Sequence, residues 1–267
     1  MREYTVLSLG GGTQSSALAI MAANMDEIPT PDIAMFADTG WEPEGVYNVV
    51  EWLKKNLPYP VQTIPGRDLR EDLMNDWDNY GRAANFNPLP MHSKTRGMGK
   101  RQCTNWYKLQ PLIQAQRRMV GVKRGQSMPW DVKVNVQIGI SVDEYMRMKS
   151  SKLKWQHNTF PLVDLSLTRG DCIEYWNSVA RPAGAPPIAK SSCIGCPYHS
   201  GEQWAALTPE EIDDVEEVEN HLLDYYGGDD RLTRLGVPVR KAVHIFRNKQ
   251  ASQESSFEEE CSGHCGV

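Results

Sequence analysis

Apolar and polar positions in the N-terminal third of the chain alternate between short apolar runs and helical spacing. Residues 4–7 (YTVL) form a run that is rich in strand-favouring side chains. Residues 32–37 (DIAMFA) form a second run, whose continuous apolar core is typical of a strand buried on both faces. After that run the apolar positions recur with the period of an α-helix. These positions are Val46, Val49, Val50 and Leu53.

The same alternation continues through the rest of the chain. Further strands are predicted at residues 61–66 and 134–140, and further helices near Thr168 and over residues 209–226. A helix over residues 105–119 is predicted to direct four apolar side chains into the core. They are Trp106, Leu109, Leu112 and Ile113. The alternation predicts the α/β class, with a doubly wound, mostly parallel, Rossmann-like sheet of roughly five strands and helices on both faces.

The chain of 267 residues has room for one elaborated domain or two small ones. No internal repeat and no clean linker divides it. We therefore expect an α/β domain over residues 1–165 and a C-terminal extension over residues 166–267, with helices and a cysteine knuckle, packed as one integrated unit. Residues 65–102 show no convincing periodicity, and their second half is typical of a long binding loop or lid.

The turn between the first strand and the first helix contains three consecutive glycines, Gly10, Gly11 and Gly12. Glycine permits positive φ angles and a close approach of the backbone to a ligand. The helix is expected to start near Ser15, where its N–H groups and neighbouring hydroxyl groups favour an anion. The second strand ends in residues 38–40 (DTG). Because ligands of open α/β sheets bind beyond the carboxyl ends of the strands, both segments are expected to face one crevice.

Charge and composition predict a cellular location and a candidate binding surface. The net charge is −5, and no apolar run approaches the ~20 residues that cross a membrane. The N-terminus lacks a signal-peptide pattern, so we expect a cytoplasmic protein. Between Asp78 and Asp131 there is no acidic residue, whereas ten lysines and arginines occur there. This basic stretch over residues 82–124 predicts a face for a polyanion, either nucleotide phosphates or a tRNA or DNA backbone.

The six cysteines of a chain expected in the cytoplasm favour metal ligation or redox chemistry over disulfides. Cys193 and Cys196 form a C-x2-C knuckle, a spacing that suits zinc or an iron–sulfur cluster. Cys103 is the third candidate ligand, because it lies in the basic stretch just before a helix, where a thiolate is stabilised.

The other three cysteines have different expected roles. Cys172 lies within an amphipathic helical pattern and is predicted to be a buried core thiol. Cys261 and Cys265, near the C-terminus, are candidates for a fourth metal ligand or for mobile redox thiols.

Several segments resemble one family. Residues 10–15 (GGGTQS) resemble the PP-loop, S-G-G-x-D-S, of the adenine-nucleotide α-hydrolase (HUP-type) superfamily, with glycine in place of the first serine and Gln14 in place of aspartate. Residues 102–112 (QCTNWYKLQPL) resemble the C-[CT]-x3-K-x2-P-L element of the PAPS reductase family, a branch of that superfamily. Residues 36–47 and 137–147 resemble two further elements of the branch. By this resemblance the chain is identified as a PAPS reductase-like member of the PP-loop superfamily.

The resemblance implies that ATP or a related adenine nucleotide binds over the glycine turn, with Mg²⁺. The residues that it assigns to the nucleotide are Ser8, Gly10, Gly11, Gly12, Thr13, Gln14, Ser15, Ser16, Asp38, Thr39, Gly40, Gly139 and Arg147. It assigns Lys108 to the stabilisation of phosphate charge, and Asp38 to Mg²⁺ or to the adenosine site. The three candidate metal ligands are implied to hold a [4Fe–4S] cluster, with Zn²⁺ as the alternative.

Three functions are open at this point. The first is ATP-dependent adenylation of a nucleic acid or small acceptor, followed by sulfur transfer that uses an iron–sulfur centre. The second is a PAPS or APS reductase that releases sulfite, with Cys261 or Cys265 as the catalytic nucleophile. The third is a non-catalytic module that binds nucleotides or nucleic acids. A sulfur donor or a thioredoxin-like reductant is the expected protein partner, no membrane partner is expected, and a homodimer is left open.

Overall fold

The computed structural model describes the backbone of most of the chain. The described residues are 1–75, 88–95, 97–188, 191–226 and 229–262, with side chains described for all of them except 225–226 and 251–262. The chain divides into two compact units. The first unit comprises Met1–Asp68 and Thr104–Ser192, and the second comprises Leu69–Cys103 and Cys193–Val267. Each unit is built from two chain segments, whereas the predicted division used a single boundary at residue 165.

A parallel sheet forms the centre of the first unit. The strands of the described chain are β1 (Arg2–Leu9), β2 (Ile33–Asp38), β3 (Val61–Pro65), β4 (His92–Ser93), β5 (Gly97–Met98), β6 (Val132–Ile138) and β7 (Gln156–Thr159). Five of them pair in parallel in the order β3-β2-β1-β6-β7, so the doubly wound sheet of about five strands is confirmed. β7 was not predicted, because its sequence QHNT carries no apolar strand signal.

Helices and short helical turns connect the strands. The α-helices of the described chain are α1 (Thr13–Asn24), α2 (Glu44–Asn56), α3 (Leu69–Met74), α4 (Gln110–Met119), α5 (Pro161–Asp164), α6 (Arg169–Tyr175), α7 (Gly201–Ala205), α8 (Pro209–Tyr226) and α9 (Val239–Ser262). A π-helical turn (Thr104–Leu109) leads into α4, and a 3-10 turn (Val142–Arg147) follows β6. Among these described helices none combines the length and apolar character needed to cross a bilayer.

Apolar side chains cover both faces of the sheet. Leu7 and Leu9 of β1 pack on one face with side chains of α1, α2 and α6. Val6 points to the opposite face, where it packs with side chains of α4 such as Leu112. Residues 17–22 of α1 are all buried, so this helix is enclosed on every side. Enclosure of α1 fixes the position of its N-terminus relative to the strand ends.

The helix predicted over residues 105–119 is interrupted at its beginning. A π-helical turn contains one more residue per turn than an α-helix, so it rotates the side chains that follow it. Tyr107 is consequently buried, whereas Leu109 is 48% exposed. The prediction that Leu109 faces the core is wrong, and the prediction for Leu112 is confirmed. Trp106 and Ile113 are half-buried.

The second unit is mainly helical. It contains α3 and the β4–β5 hairpin, which lie where a loop over residues 65–102 was expected; residues 76–87 and 96 of that stretch lie outside the described residues. The acidic helix α8 has the predicted bounds. Within α8, the buried Glu219 carboxylate accepts the backbone N–H groups of Leu232 and Val239, each at 3.0 Å. This carboxylate connects α8 to the beginning of α9, and burial raises its pKa.

Substitution of Gly139 tests how closely the strand ends are packed. A Cβ atom at Gly139 would lie 2.7 Å from the backbone N and Cα atoms of Ser15. We expect Gly139→Ala to lower the free energy of unfolding by about 1–3 kcal/mol, because a backbone cannot yield as a flexible side chain can. Gly45→Ala is the matched control, since its Cβ would meet no atom within 4 Å and alanine is favoured in a helix. Urea unfolding measures both, and equal stability of Gly139→Ala and the unmodified chain would contradict this packing.

Candidate functional site

The carboxyl ends of β1 and β6 lie side by side at the point where the strand order reverses. Ser8 is half-buried near the end of β1, residues 10–12 follow that strand, and Gly139 follows β6. The close approach of Gly139 to Ser15 brings the loop after β6 against the first turn of α1. Open α/β sheets bind their ligands at such a reversal point.

Only glycine fits at positions 11 and 12 of the turn between β1 and α1. Gly11 has a φ of +68°, and a Cβ there would lie 2.7 Å from Cγ1 of Val46. A Cβ at Gly12 would lie 2.6 Å from Oγ and 2.8 Å from the backbone N of Ser191. The turn is therefore enclosed by α2 on one side and by the Ser191 segment on the other.

The first turn of α1 presents backbone and hydroxyl donors. The N-cap residue is Gly12, so no side chain caps the first N–H groups of the helix. Ser15 stabilises the turn, because its Oγ accepts the Gly10 N–H at 3.1 Å. Thr13 and Ser16 are buried, and the Ser16 Oγ has no hydrogen-bond partner in the part of the chain that the structure describes. A buried hydroxyl group without a partner is costly. The uncapped N–H groups at this helix start favour an anion.

Gln14 connects α1 to the 3-10 turn after β6. Its Nε2 donates to Oε2 of Glu144 at 3.1 Å and to Oγ of Ser141 at 3.4 Å. Glu144 also forms an ion pair with Arg147. A carboxylate from Glu144 thus lies against the position where the PP-loop pattern has aspartate. Glu144 was not among the predicted site residues, although it lies in the segment 137–147, which resembles an element of the PAPS reductase family.

The DTG segment forms a second cluster at the end of β2. Oδ1 of Asp38 accepts the Gly40 N–H and the Tyr47 hydroxyl group, both at 2.9 Å. Burial raises the pKa of Tyr47, and the Asp38 carboxylate raises it further, so Tyr47 remains a neutral donor. Oδ2 of Asp38 makes no hydrogen bond to any described residue. That oxygen remains available for a cation or a hydroxyl group.

Lys108 forms an ion pair with Glu42, a residue that was not predicted from the sequence. Its Nζ donates to Oε1 of Glu42 at 2.7 Å, and the Thr39 hydroxyl donates to the same oxygen at 3.1 Å. The Glu42 side chain is 0% exposed and the Lys108 side chain is 32% exposed. The ion pair therefore holds the π-helical turn against the loop after β2. The role of Lys108 at nucleotide phosphates stays a prediction.

The three predicted metal ligands all belong to the second unit. Cys193 and Cys196 lie in a tight turn in which the Cys196 N–H donates to the Cys193 carbonyl at 3.0 Å. The Cys103 N–H donates to the carbonyl of Pro88 at 3.0 Å. Across the described residues, no three side chains of His, Cys, Asp or Glu are placed together to hold a metal ion. The C-x2-C pair supplies two donors, fewer than zinc or an iron–sulfur cluster needs, and the three-cysteine centre stays a prediction.

The remaining cysteines differ in what the structure describes. Cys172 is fully buried in α6, and burial raises the pKa of its thiol to about 12, so its prediction as a core thiol is confirmed. α6 begins near Thr168 as predicted, and Thr168 is its N-cap residue and forms a capping box with Asp171. The side chain of Cys261 and the whole of Cys265 lie outside the described residues.

The predicted basic stretch is divided between the two units. Its described members in the second unit are Lys94, Lys100 and Arg101, and those in the first unit are Lys108, Arg117, Arg118, Lys123 and Arg124. Arg82 and Arg96 lie outside the described residues. A single continuous face for a polyanion therefore stays a prediction.

Comparisons with known proteins give low similarities. No family model and no curated protein matches the chain. The structure is similar to phosphoadenylyl-sulfate (PAPS) reductase from Candida auris in a phosphate complex, with 12% identity and a TM-score of 0.42 over 71% of this chain and 81% of that one. It is also similar to the U34-tRNA thiolase NcsA from Methanococcus maripaludis with its [4Fe-4S] cluster, with 11% identity and a TM-score of 0.40 over 92% and 70%. Because both TM-scores are below 0.5, neither similarity identifies a reaction for this chain.

A double-variant cycle separates a structural from a ligand-binding role of Lys108. We expect Lys108→Met to lower the free energy of unfolding by roughly 1–3 kcal/mol, because it removes a cation from the buried carboxylate of Glu42 while the lysine end is partly exposed. Adding Glu42→Gln should recover most of that loss. Calorimetric titration with ATP then tests whether Lys108 binds phosphate. If it does, the double variant is stable but binds ATP weakly. Unchanged stability of Lys108→Met would contradict the structural role.

Alkylation tests the protection of Cys172. At pH 8 a thiol with a pKa near 12 is ionised to only about one part in 10⁴, and the buried sulfur is also inaccessible. We expect iodoacetamide to modify the half-buried Cys103 and Cys196 of the native protein while Cys172 reacts only after denaturation. Peptide mass spectrometry measures the extent at each site. Equal labelling of Cys172 and Cys103 in the native state would show that α6 opens readily.

Proposed function

We propose that this chain is a PP-loop enzyme that adenylates an acceptor with ATP and then transfers sulfur to it. The observation that carries the proposal is the start of α1, where an enclosed glycine turn precedes a helix whose buried Ser16 hydroxyl has no described partner. Free helix N–H groups and hydroxyl donors at this place suit a nucleotide phosphate. The C-x2-C pair and the resemblance to sulfonucleotide enzymes support sulfur chemistry.

The residues of the first unit have distinct roles in this proposal. Backbone amides of residues 11–15 bind the phosphates, because the Gly10 N–H donates to Ser15 and the Ser16 N–H donates to the Gly12 carbonyl. Oδ2 of Asp38 is a fitting ligand for Mg²⁺, which binds through one or two carboxylates together with substrate phosphates. Lys108 stabilises charge on the leaving pyrophosphate, and it exchanges part of its contact with Glu42 to do so. Arg147 and Glu144 orient Gln14 at the edge of the crevice.

The proposed reaction has two displacements. An oxygen of the acceptor attacks the α-phosphorus of ATP, and pyrophosphate leaves. A sulfur nucleophile then attacks the activated carbon, and AMP leaves with the original oxygen. In the proposal one thiol of Cys193 and Cys196 carries the sulfur as a persulfide that a sulfur donor supplies. The other thiol releases the product by closing a disulfide, which a thioredoxin-like reductant reopens. No step depends on a metal centre at these cysteines.

A PAPS or APS reductase is the second candidate, and Gln14 favours it. The amide at this position replaces the loop aspartate of ATP pyrophosphatases and is held by Glu144. In such a reductase a thiolate, from Cys261 or Cys265, attacks the sulfur of the sulfonucleotide, and a thiol reductant then releases sulfite.

Product analysis distinguishes the candidates. With ATP, Mg²⁺, a sulfane-sulfur donor that forms persulfides, a thiol reductant and bulk tRNA or DNA, we expect pyrophosphate release that depends on the nucleic acid. Gly12→Ala should abolish this release because its Cβ would overlap Ser191, whereas the control Gly45→Ala should retain it. If the protein instead releases sulfite from PAPS or APS in the presence of thioredoxin, and releases no pyrophosphate from ATP, it is a sulfonucleotide reductase and the sulfur-transfer proposal is wrong. Nucleotide binding without either product would indicate a non-catalytic module.

A further inference from the structure

An exposed aromatic side chain follows the cysteine turn in the second unit. Tyr198 comes two residues after Cys196 and is 47% exposed. The guanidinium carbon of Arg101 lies 5.0 Å from the centroid of its ring, within the range of a cation–π interaction. Arg101 itself comes two residues before Cys103. The cation–π pair therefore joins the segment of the third predicted ligand to the C-x2-C segment.

The backbone on both sides of Tyr198 is anchored. The carbonyl oxygen of Pro197 lies 3.2 Å from Nε2 of His92, which donates to it in the tautomer that carries a proton there. On the other side, the N–H of His199 donates to the carbonyl of Cys196 at 3.0 Å. The His199 ring is buried edge-to-face against Trp204, with the centroids 4.9 Å apart. Exposure of Tyr198 is therefore imposed by a fixed backbone and is not the result of a loose loop.

Arg101, which contacts the exposed ring, is preceded in the chain by a second cation, Lys100. Lys100 and Arg101 are both exposed, and neither forms an ion pair with another described residue. Lys94, on the nearby hairpin, differs because it lies 3.8 Å from Asp229. A guanidinium that lies over a ring keeps its charge and its N–H donors for a phosphate. The site thus combines an aromatic surface with two cations that have no acidic partner in the described chain.

We propose that Tyr198 and Arg101 form a stacking site for an unpaired nucleobase of a single-stranded nucleic acid. The base stacks on the exposed ring and the guanidinium plane, and the adjacent phosphates contact Arg101 and Lys100. This combination binds single strands with little dependence on sequence, because every base has a π face. The inference rests on the proposed function in one respect. It identifies the acceptor of that reaction as a nucleic acid and places one of its bases beside Cys196.

Fluorescence anisotropy with labelled 12-nucleotide single strands, one of RNA and one of DNA, tests the site in the full chain without ATP. We expect Tyr198→Ala to weaken binding about tenfold or more, because stacking on one aromatic side chain contributes on that order. Tyr198→Phe should keep near-normal affinity since it retains the ring. Trp130→Ala is the matched control, because it removes a 96% exposed aromatic side chain from the other unit and should change nothing. A preference for one strand type identifies whether the bound nucleic acid is RNA or DNA.

Other outcomes would overturn the proposal. Equal affinity of Tyr198→Ala and the unmodified chain would exclude stacking, as would equal losses in Tyr198→Phe and Tyr198→Ala. If the protein bound neither strand at low salt, the stacking site would be excluded, and a protein partner would be the remaining explanation for the exposed Tyr198 ring. The readout is independent of turnover, so strand binding without pyrophosphate release contradicts the proposed reaction alone. Pyrophosphate release stimulated by a small acceptor, without strand binding, contradicts the stacking site alone.

Discussion

The close packing around the glycine turn after β1 is the constraint on which the candidate site depends. Val46 of α2 and Ser191 approach this turn so closely that a Cβ atom cannot be accommodated, and Gly139 packs on the backbone of Ser15. The N-terminus of α1 is consequently held by three segments that are far apart in sequence. Because the body of α1 is also enclosed, its first N–H groups have a fixed position at the reversal point of the sheet. A preorganised donor set of this kind binds an anion without first paying the entropy of ordering a loop.

Two carboxylates form ion pairs with cations, one in the loop after β2 and one in the 3-10 turn after β6. Glu42 holds Lys108, and Glu144 holds Arg147 while it also accepts a hydrogen bond from Gln14. In both pairs the acid is more buried than its cation. In the proposed function, an entering phosphate contacts backbone amides first, and it competes with a carboxylate for each of these two cations. This arrangement favours a ligand with several charges that can engage amides and cations together, as a nucleoside triphosphate does.

Much of the first unit could be predicted from the sequence, because β2 is a continuous apolar run, β6 alternates apolar and polar residues, and the face of α2 has strict helical spacing. β7 has no such signal, and the π-helical turn before α4 rotates its side chains in a way that no period of 3.6 residues describes. The glycine turn and the DTG segment could be recognised as a site because their residue types have local meaning. The pairing of Lys108 with Glu42 joins residues 66 positions apart, so only the folded chain reveals it. The cysteine spacing predicted a knuckle, but spacing alone does not place a third ligand beside it.

The central claim is that the backbone amides after β1 bind the phosphates of an adenine nucleotide. Hydrogen–deuterium exchange with and without ATP and Mg²⁺ measures those amides directly. We expect ATP to slow exchange at residues 10–16, and at the DTG segment to a smaller extent, with no change in the β4–β5 hairpin. Unchanged exchange at residues 10–16 under saturating ATP, or protection confined to other segments, would contradict the claim.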